Sequence, residues 1–160
     1  MTRTILAFAV VIMFGLGAPL SAAMADECAF ANPDEAKAMA KRAAAFLDAE
    51  GPKAAFPVFM TPGSDYYDRD LYVFVLNFEG VLFASGAFPD SIGAVAYDAQ
   101  DKDGRYFIRE MIALAQNEGE GWIEYDLMHP CTGEITPKIS YVIRVGPFVV
   151  GVGAFGTIAA

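Results

Sequence analysis

The sequence predicts an α+β domain in which a long N-terminal helix packs on an antiparallel sheet of about five strands. An alanine-rich segment begins at a strong cap and stops at Gly51 and Pro52. A tight turn through Glu79 and Gly80 joins two strand-like runs. Between Gly121 and Gly153, three runs rich in β-branched and aromatic residues alternate with Gly and Pro turns, which is typical of a meander.

The first 25 residues have the pattern of an export signal. Arg3 precedes an apolar run over residues 5–20, and Ala23 and Ala25 supply the small side chains that signal peptidase requires. We therefore predict cleavage after Ala25, a mature domain over residues 26–160, a periplasmic or secreted location and no stable membrane insertion after cleavage. An uncleaved anchor is the alternative, because the run approaches the roughly 17 to 25 residues that span a bilayer.

Length and charge limit the class of partner. The 160-residue chain has 11 basic and 20 acidic residues, and removing Arg3 leaves 10 minus 20, a net charge of −10, on residues 26–160. This length suits one compact domain. The negative charge argues against nucleic acid or an anionic membrane surface as a partner.

Cys28 and Cys131 are the only cysteines of the chain. In an oxidising compartment, two lone thiols more often form a bridge than stay reduced, and the sequence therefore predicts a disulfide. A bridge that closes about 100 residues would stabilise the fold by up to roughly 4.7 kcal/mol in the chain-entropy model. It requires the start of the first helix to lie beside the turn after Pro130.

The boundaries of the predicted elements follow from caps and turn residues. Asn32, Pro33 and Glu35 form a strong helix start, because Asn accepts from free amides and Glu reaches back to the cap. We expect this helix to end at Glu50. The later elements are a short helix near 52–60, strands 71–78 and 81–85, and a helix from about Arg105 to Gln116 that Asp101 or Asp103 caps.

Three motifs in the last third of the chain resemble those of single Cache domains, the sensor modules that bacteria place outside the cytoplasmic membrane. They are Gly121 to Tyr125 as Gly-x-x-x-Tyr, Pro137 to Val142 as Pro-Lys-x-Ser-Tyr-Val, and Gly151 to Gly153 as Gly-x-Gly. The resemblance covers roughly Pro33 to Phe155. It implies a PAS-like fold, with the ligand on the side of the sheet opposite the long helix, beneath the region between the second and third strands.

Lys138 is the leading candidate for ligand binding, and it matches the lysine of the family motif. Alternation places Lys138 on one face of its strand with Ser140, and Tyr141 on the other. A lysine on a covered face needs an anionic partner, because an unpaired buried ammonium is costly. A small carboxylate could be that partner. The alternative is a solvent-facing lysine at the end of a strand.

Aromatic residues supply the remaining candidates. Tyr125 and Tyr141 match tyrosines of the family pattern, and the alternative for both is that they anchor an apolar layer with their hydroxyls at its edge. Alternation forbids Lys138 and Tyr141 from sharing a pocket unless a bulge intervenes. Small-molecule sites are mostly apolar and aromatic, so four further rings could form pocket walls, and ordinary core packing is the alternative for each. These four residues are Tyr72, Phe74, Phe83 and Trp122.

We expect no metal, no cofactor and no catalysis. Residues 101–104 with Glu110 imitate part of a calcium loop, but Ala99 occupies the first ligand position and a helix cap explains the same residues. His129 lies two residues from Cys131, but a disulfide would consume the thiol. The chain has no Gly-x-Ser-x-Gly motif, phosphate loop or Cys-x-x-Cys motif.

These observations favour a stand-alone, exported Cache domain that binds a small metabolite, a short organic acid above all, in signal transduction of the kind that chemotaxis receptors perform. We expect it to relay binding to a separate membrane receptor, kinase or transporter. The alternative is an accessory or interaction protein on a Cache scaffold whose pocket has collapsed. An enzyme is a third and weaker alternative.

Overall fold

A computed structural model describes residues 29–156, so the predicted signal segment and Cys28 lie outside the described residues. Three α-helices and a six-stranded sheet make up this part of the chain. The helices are α1 (Pro33–Glu50), α2 (Pro52–Phe59) and α3 (Phe107–Glu118). The strands are β1 (Tyr67–Asp68), β2 (Leu71–Asn77), β3 (Leu82–Ser85), β4 (Glu120–Met128), β5 (Ile135–Val145) and β6 (Phe148–Phe155). A short 3₁₀ helix spans Pro89–Ser91.

The last strand of the chain lies in the middle of the sheet. β6 pairs with β2 on one side and with β5 on the other, β4 continues from β5, and both β1 and β3 pair with β2. All of these pairings are antiparallel. Burial on both faces explains why β6 is almost continuously apolar. This arrangement confirms the predicted α+β, PAS-like fold.

Helix α1 covers one face of the sheet. Asn32 caps it in a reciprocal capping box with Glu35, as the sequence predicts. Ala36, Ala40 and Ala43 are fully buried, and such small side chains let the helix axis approach the strands closely. The core on this face contains valines of β2 and β6, which alternate with residues that point to the other face.

Helix α3 and the irregular segment between β3 and α3 cover the opposite face of the sheet. The apolar side of α3 is buried against alternate residues of the strands, as its periodicity predicts. The α3 residues in this core are Phe107, Ile108, Met111, Ile112 and Ala115. Two separate hydrophobic cores therefore lie on the two faces of the sheet. Among residues 29–156, no helix is both long and apolar enough to cross a bilayer.

The predicted cap of α3 is wrong. The helix begins at Phe107, and no side chain accepts a hydrogen bond from its first turn. Asp101 instead accepts from the backbone N–H groups of Asp103 at 3.0 Å and Arg105 at 2.9 Å. These bonds close a turn two residues before the helix starts, which is the local hydrogen bonding that Asp offers as an alternative to a cap.

The β2–β3 hairpin forms where the turn residues predict it. The Asn77 side chain accepts from the backbone N–H groups of Glu79 at 3.1 Å and Val81 at 2.8 Å, and Gly80 adopts a φ of 75°. An irregularity in the β2–β3 register then turns Phe83 toward α2, where its ring packs against Phe56. β2 ends at Asn77, so Phe78 belongs to the turn.

Candidate functional site

A cavity of about 260 Å³ lies on the face of the sheet opposite α1. Strands β2 and β4 form its floor, and α3 and the segment between β3 and α3 form its walls. The side chains that line it are almost all apolar or aromatic. They are Tyr72, Phe74, Leu76, Leu82, Ser85, Phe88, Ser91, Ala96, Phe107, Ile108, Met111, Tyr125, Leu127 and Met128. This is the side of the sheet on which the family resemblance places a ligand.

Two tyrosine hydroxyls supply polar groups to this cavity. The Tyr125 hydroxyl is 3.0 Å from the Ser140 hydroxyl, and the Tyr125 ring stacks on Phe107 with centroids 4.6 Å apart. Burial raises the pKa of both Tyr72 and Tyr125 well above the usual range, so both stay neutral phenols near pH 7. Neutral phenols can each donate one hydrogen bond to a ligand atom.

Lys138 lies directly behind Tyr72. Its side chain is 2% exposed, and Nζ donates a hydrogen bond to the Tyr72 hydroxyl oxygen at 2.7 Å. Nζ also lies 3.9 Å from the Tyr72 ring centroid and 4.4 Å from that of Phe155. Lys138 is therefore not the solvent-facing lysine of the alternative interpretation.

Burial lowers the pKa of Lys138 to about 7, although the Asp70 carboxylate opposes this shift. An ammonium group has three N–H donors, and Tyr72 accepts from one of them. No carboxylate among residues 29–156 lies within ion-pair distance of Nζ. The site therefore carries a buried cationic group that an added anion would neutralise.

A wider polar groove of about 660 Å³ shares Tyr125 with the cavity and is also lined by Lys138. Acidic residues dominate this groove, and their carboxylates would repel an anion. They are Asp101, Asp103, Glu124 and Asp126, set against Lys102 and Arg105. Lys102 is already held by Asp103 and Asp126, each at 2.8 Å. The apolar cavity, with its tyrosine hydroxyls and with Lys138 behind them, is the better site for an anion.

Two glycines of β6 make room for the site residues. Gly151 lies under the ring of Phe74, and a Cβ at this position would overlap that ring. Gly153 lies under Ser140 and the Lys138 stem, and a Cβ there would overlap both side chains. The Gly-x-Gly motif therefore allows a large ring and a long cationic side chain to lie flat against the central strand.

The structure brings four of the predicted ligand-binding residues together. Tyr72, Phe74 and Tyr125 line the cavity, and Lys138 contacts Tyr72. Ordinary alternation along β2, β4 and β5 accounts for this grouping, because all four side chains point to the same face of the sheet.

The other three predicted residues lie on the α1 and α2 side. Tyr141 is covered by α1, and Lys37 Nζ of that helix lies 4.6 Å from the centroid of the Tyr141 ring. The centroids of the Trp122 and Tyr141 rings are 4.8 Å apart. Burial raises the pKa of Tyr141 to about 12. Phe83 packs with Phe148, the ring centroids 5.5 Å apart. Tyr141, Trp122 and Phe83 therefore do not line this cavity, since strict alternation and the β3 irregularity direct them away from it.

Sequence analysis missed Asp70, which is 1% exposed. Its two carboxylate oxygens accept from the backbone N–H groups of Ala31 at 2.7 Å and Phe155 at 2.9 Å. An acidic residue directly before an apolar strand was the available signal, but such residues usually face solvent. Sequence analysis also missed the cavity wall that α3 supplies through Met111.

The predicted disulfide stays a prediction, because Cys28 lies outside the described residues. On the Cys131 side, the backbone N–H of Cys131 donates to Nδ1 of His129 at 3.2 Å. The His129 ring packs between Phe30 and Phe155, with centroid distances of 5.4 and 4.6 Å. Within residues 29–156, no group of three or more His, Cys, Asp or Glu side chains is arranged to hold a metal ion.

The helices and the antiparallel sheet together define a PAS-like α+β domain. Residues 37–158 match the dCache_2 family model, which describes a Cache domain. The chain therefore belongs to the Cache domain family, as the motifs of its last third predict.

One relative with a curated name is the sensor histidine kinase MctS of Rhizobium johnstonii, which is 33% identical over 91 residues. The match covers 56% of this chain but only 20% of that kinase, so this chain corresponds to about a fifth of its length.

Solved structures share the fold. A Cache chemosensory domain, described in work on carboxylic acid recognition, superposes with a TM-score of 0.66 at 20% identity, covering 78% of this chain and 92% of that one. A methyl-accepting chemotaxis protein of Vibrio parahaemolyticus superposes with a TM-score of 0.65 at 20% identity, and the match covers 76% of this chain and 86% of that protein's chain. A periplasmic sensor domain of a chemotaxis protein gives 0.61 at 21% identity, covering 78% and 90%.

Proposed function

We propose that this protein is an extracytoplasmic sensor domain that binds a small organic acid in the cavity opposite α1. One observation carries the proposal: the buried Lys138 ammonium, without a carboxylate partner in the described part of the chain, lies behind the Tyr72 hydroxyl of an otherwise apolar cavity. In this proposal, a ligand carboxylate accepts hydrogen bonds from the tyrosine hydroxyls and the positive charge of Lys138 stabilises it.

The cavity favours a ligand with one anionic group and a small apolar body. Its volume of about 260 Å³ is below the roughly 300 to 1,000 Å³ that is usual for drug-sized ligands. Beyond the tyrosines, its lining consists mainly of Leu, Met, Phe and Ala side chains, which offer no partner for a second charge. A second carboxylate or an ammonium group would therefore lose its hydration without compensation.

The proposed output is a change in contact with a separate membrane receptor, kinase or transporter. The relative named as a sensor histidine kinase and the structural neighbours named as chemotaxis proteins support a role in signal transduction. We propose no catalytic role and no cofactor. Export by the N-terminal 25 residues stays part of the proposal, because those residues lie outside the described part of the chain.

Thermal-shift titration of the exported protein with carboxylates, amino acids and amines tests the proposal. A bound ligand should raise the melting temperature in a saturable way that follows mass action. Lys138→Met should abolish the shift for carboxylates. Lys37→Met is the matched control, since it removes a lysine from the other face of the sheet and should leave the shift intact. No saturable shift with any carboxylate would favour the accessory protein with a collapsed pocket.

A further inference from the structure

Two oppositely charged side chains are buried on the same side of the molecule without forming a direct ion pair. Asp70 is 1% exposed and Lys138 is 2% exposed. Residues of either type are almost never fully buried unless they have a partner. The Asp70 carboxylate is held by two backbone N–H groups, and the Lys138 ammonium is held by a single phenol. Each charge therefore has hydrogen bonds but no adjacent counter-charge.

Phe155 connects the two charges. Asp70 accepts from the Phe155 backbone N–H at 2.9 Å, and Lys138 Nζ lies 4.4 Å from the centre of the same residue's ring. Lys138 and Phe155 are also directly paired in the β5–β6 ladder. Asp70 is only two residues from Tyr72, which accepts the Lys138 hydrogen bond. The charge of the Asp70 carboxylate acts on Lys138, because it opposes the fall in the Lys138 pKa that burial causes.

Asp70 also holds the start of α1. It binds the Ala31 N–H directly before the cap residue Asn32. Its neighbour Arg69 takes a left-handed φ of 56° and donates to Glu35 at 2.9 Å, within the capping box. Two consecutive residues therefore fix the beginning of α1, and one of them also fixes the end of β6.

We propose that Asp70 is the internal counter-charge of Lys138, and that this pair couples the charge state of the anion site to the junction where α1 begins and β6 ends. Asp70 acts through Lys138 and is a positioning residue for the site. When Lys138 is protonated, its charge attracts the Asp70 carboxylate. When Lys138 is neutral, Asp70 depends on the two backbone N–H groups alone. The pair does not depend on which molecule binds, so it can be tested without a ligand.

Other titratable and charged groups lie around Lys138, and the groove that borders it contains Asp101, Asp103, Glu124 and Asp126 together with Lys102 and Arg105. Tyr72 and Tyr125 are buried phenols whose pKa values are raised, and Tyr67 of β1 is a third phenol that packs against the same core. His129 lies across Phe155, its ring 4.6 Å from the Phe155 ring. A His129→Gln variant separates any contribution of this imidazole to the titration.

Nuclear magnetic resonance of the Lys138 side chain tests the proposal directly. The Cε signal of Lys138 should titrate near pH 7 in the native protein, and the midpoint should fall by roughly 1 pH unit or more in Asp70→Asn. Arg69→Gln is the control, because it removes the charge of the neighbouring half-buried residue, which pairs with Asp68 and Glu35, and should move the midpoint little. A midpoint that stays or rises in a folded Asp70→Asn protein would overturn the proposal.

A second measurement needs no Asp70 variant, which matters because Asn offers one acceptor oxygen where Asp offers two. The amide proton shifts of Ala31 and Phe155 should change with pH at the Lys138 midpoint. This pH-dependent change in the two amide shifts should persist in His129→Gln and be absent in Lys138→Met. Amide shifts that stay flat between pH 6 and 8 in the native protein would contradict the coupling. Failure to bind any carboxylate would instead contradict the proposed function and leave this result unaffected.

Discussion

The Lys138 ammonium lies 2.7 Å from the Tyr72 hydroxyl oxygen, and both side chains are buried on the sheet face opposite α1. A phenol at this distance accepts a hydrogen bond but brings no negative charge, because burial keeps Tyr72 protonated. The fold therefore keeps a cationic group in a buried position at a cost in stability, and such perturbed groups cluster at functional sites.

The first prediction concerns stability against pH. The pKa of Lys138 is lowered from about 10.5 in the unfolded chain to about 7 in the folded protein. Between these values the unfolded state binds more protons, so this group makes the free energy of unfolding rise with pH, by up to about 1.4 kcal/mol per pH unit. Below pH 7 Lys138 is protonated in both the folded and the unfolded state, so burial of its charge lowers the free energy of unfolding by the full amount. Urea denaturation from pH 6 to 10 measures the slope.

The variant Lys138→Met isolates this contribution from the other titrating groups. The difference in free energy of unfolding between variant and native protein should be largest below pH 7 and should shrink toward pH 10. Lys41→Met provides the matched control on an exposed lysine of α1, for which no such trend is expected. A difference for Lys138→Met that is constant across this range would contradict a depressed pKa.

The second prediction concerns the binding of a carboxylate probe such as butyrate. The anion binds the protonated form of Lys138, so binding is accompanied by proton uptake above pH 7. The dissociation constant should therefore change little below pH 7 and increase toward tenfold per pH unit above it. Titration calorimetry in two buffers of different ionisation enthalpy should show uptake of about half a proton at pH 7.

Two results would separate this mechanism from non-specific binding. Propylamine, which has the same propyl chain and the opposite charge, should not bind. An affinity for butyrate that is unchanged between pH 6 and 9 would show that Lys138 does not supply the charge. In that case the tyrosine hydroxyls alone would have to hold the carboxylate.

The third prediction tests the cavity through Gly151. A methyl group at this position overlaps the Phe74 ring, so Gly151→Ala must push that ring into the cavity or separate the strands. Overpacking of this kind typically costs about 1 to 3 kcal/mol. We expect a lower melting temperature and the loss of carboxylate binding. Gly121→Ala is the control, because the three atoms nearest to its methyl group would all belong to the flexible Leu114 side chain, at 3.0 to 3.3 Å.

Ligand binding that survives in Gly151→Ala would place the ligand elsewhere. The polar groove that borders Lys138 is the alternative place, and Asp126→Asn should then alter binding, since Asp126 lines that groove. The same substitution should leave binding unchanged if the ligand occupies the apolar cavity.

Local chemistry and strand periodicity were enough to predict most of the fold. Asn32 and Glu35 predicted the start of α1 because a capping box depends on adjacent residues only. Alternation along β5 predicted that Lys138 and Tyr141 lie on opposite faces, and the structure places them so. The motif that contains Lys138 indicated the family, which the match over residues 37–158 confirms.

Features that depend on distant contacts escaped prediction. Asp70 binds Ala31 and Phe155, which are 39 and 85 residues away, so no local pattern reveals its burial. Phe83 faces α2 because of an irregular register, which alternation cannot anticipate. Asp101 has the sequence context of a cap, but its carboxylate is used in a turn before α3.

The last prediction concerns the bridge between Cys28 and Cys131, which would join the start of the domain to the turn after β4. Phe30, two residues after Cys28, packs against His129, two residues before Cys131, with ring centroids 5.4 Å apart. Two residues of extended chain reach at most about 7 Å, which is why this ring contact favours a bridge between the two cysteines.

The exported protein should therefore migrate faster on a denaturing gel without reductant than with it. Reduction should lower the free energy of unfolding, by a few kcal/mol at most, because a loop of about 100 residues is released in the unfolded state. Cys28→Ser, Cys131→Ser and the double variant should be equally destabilised, since removal of either partner removes the same bond. Two thiols that titrate in denaturant without reductant, together with unchanged mobility, would exclude the bridge.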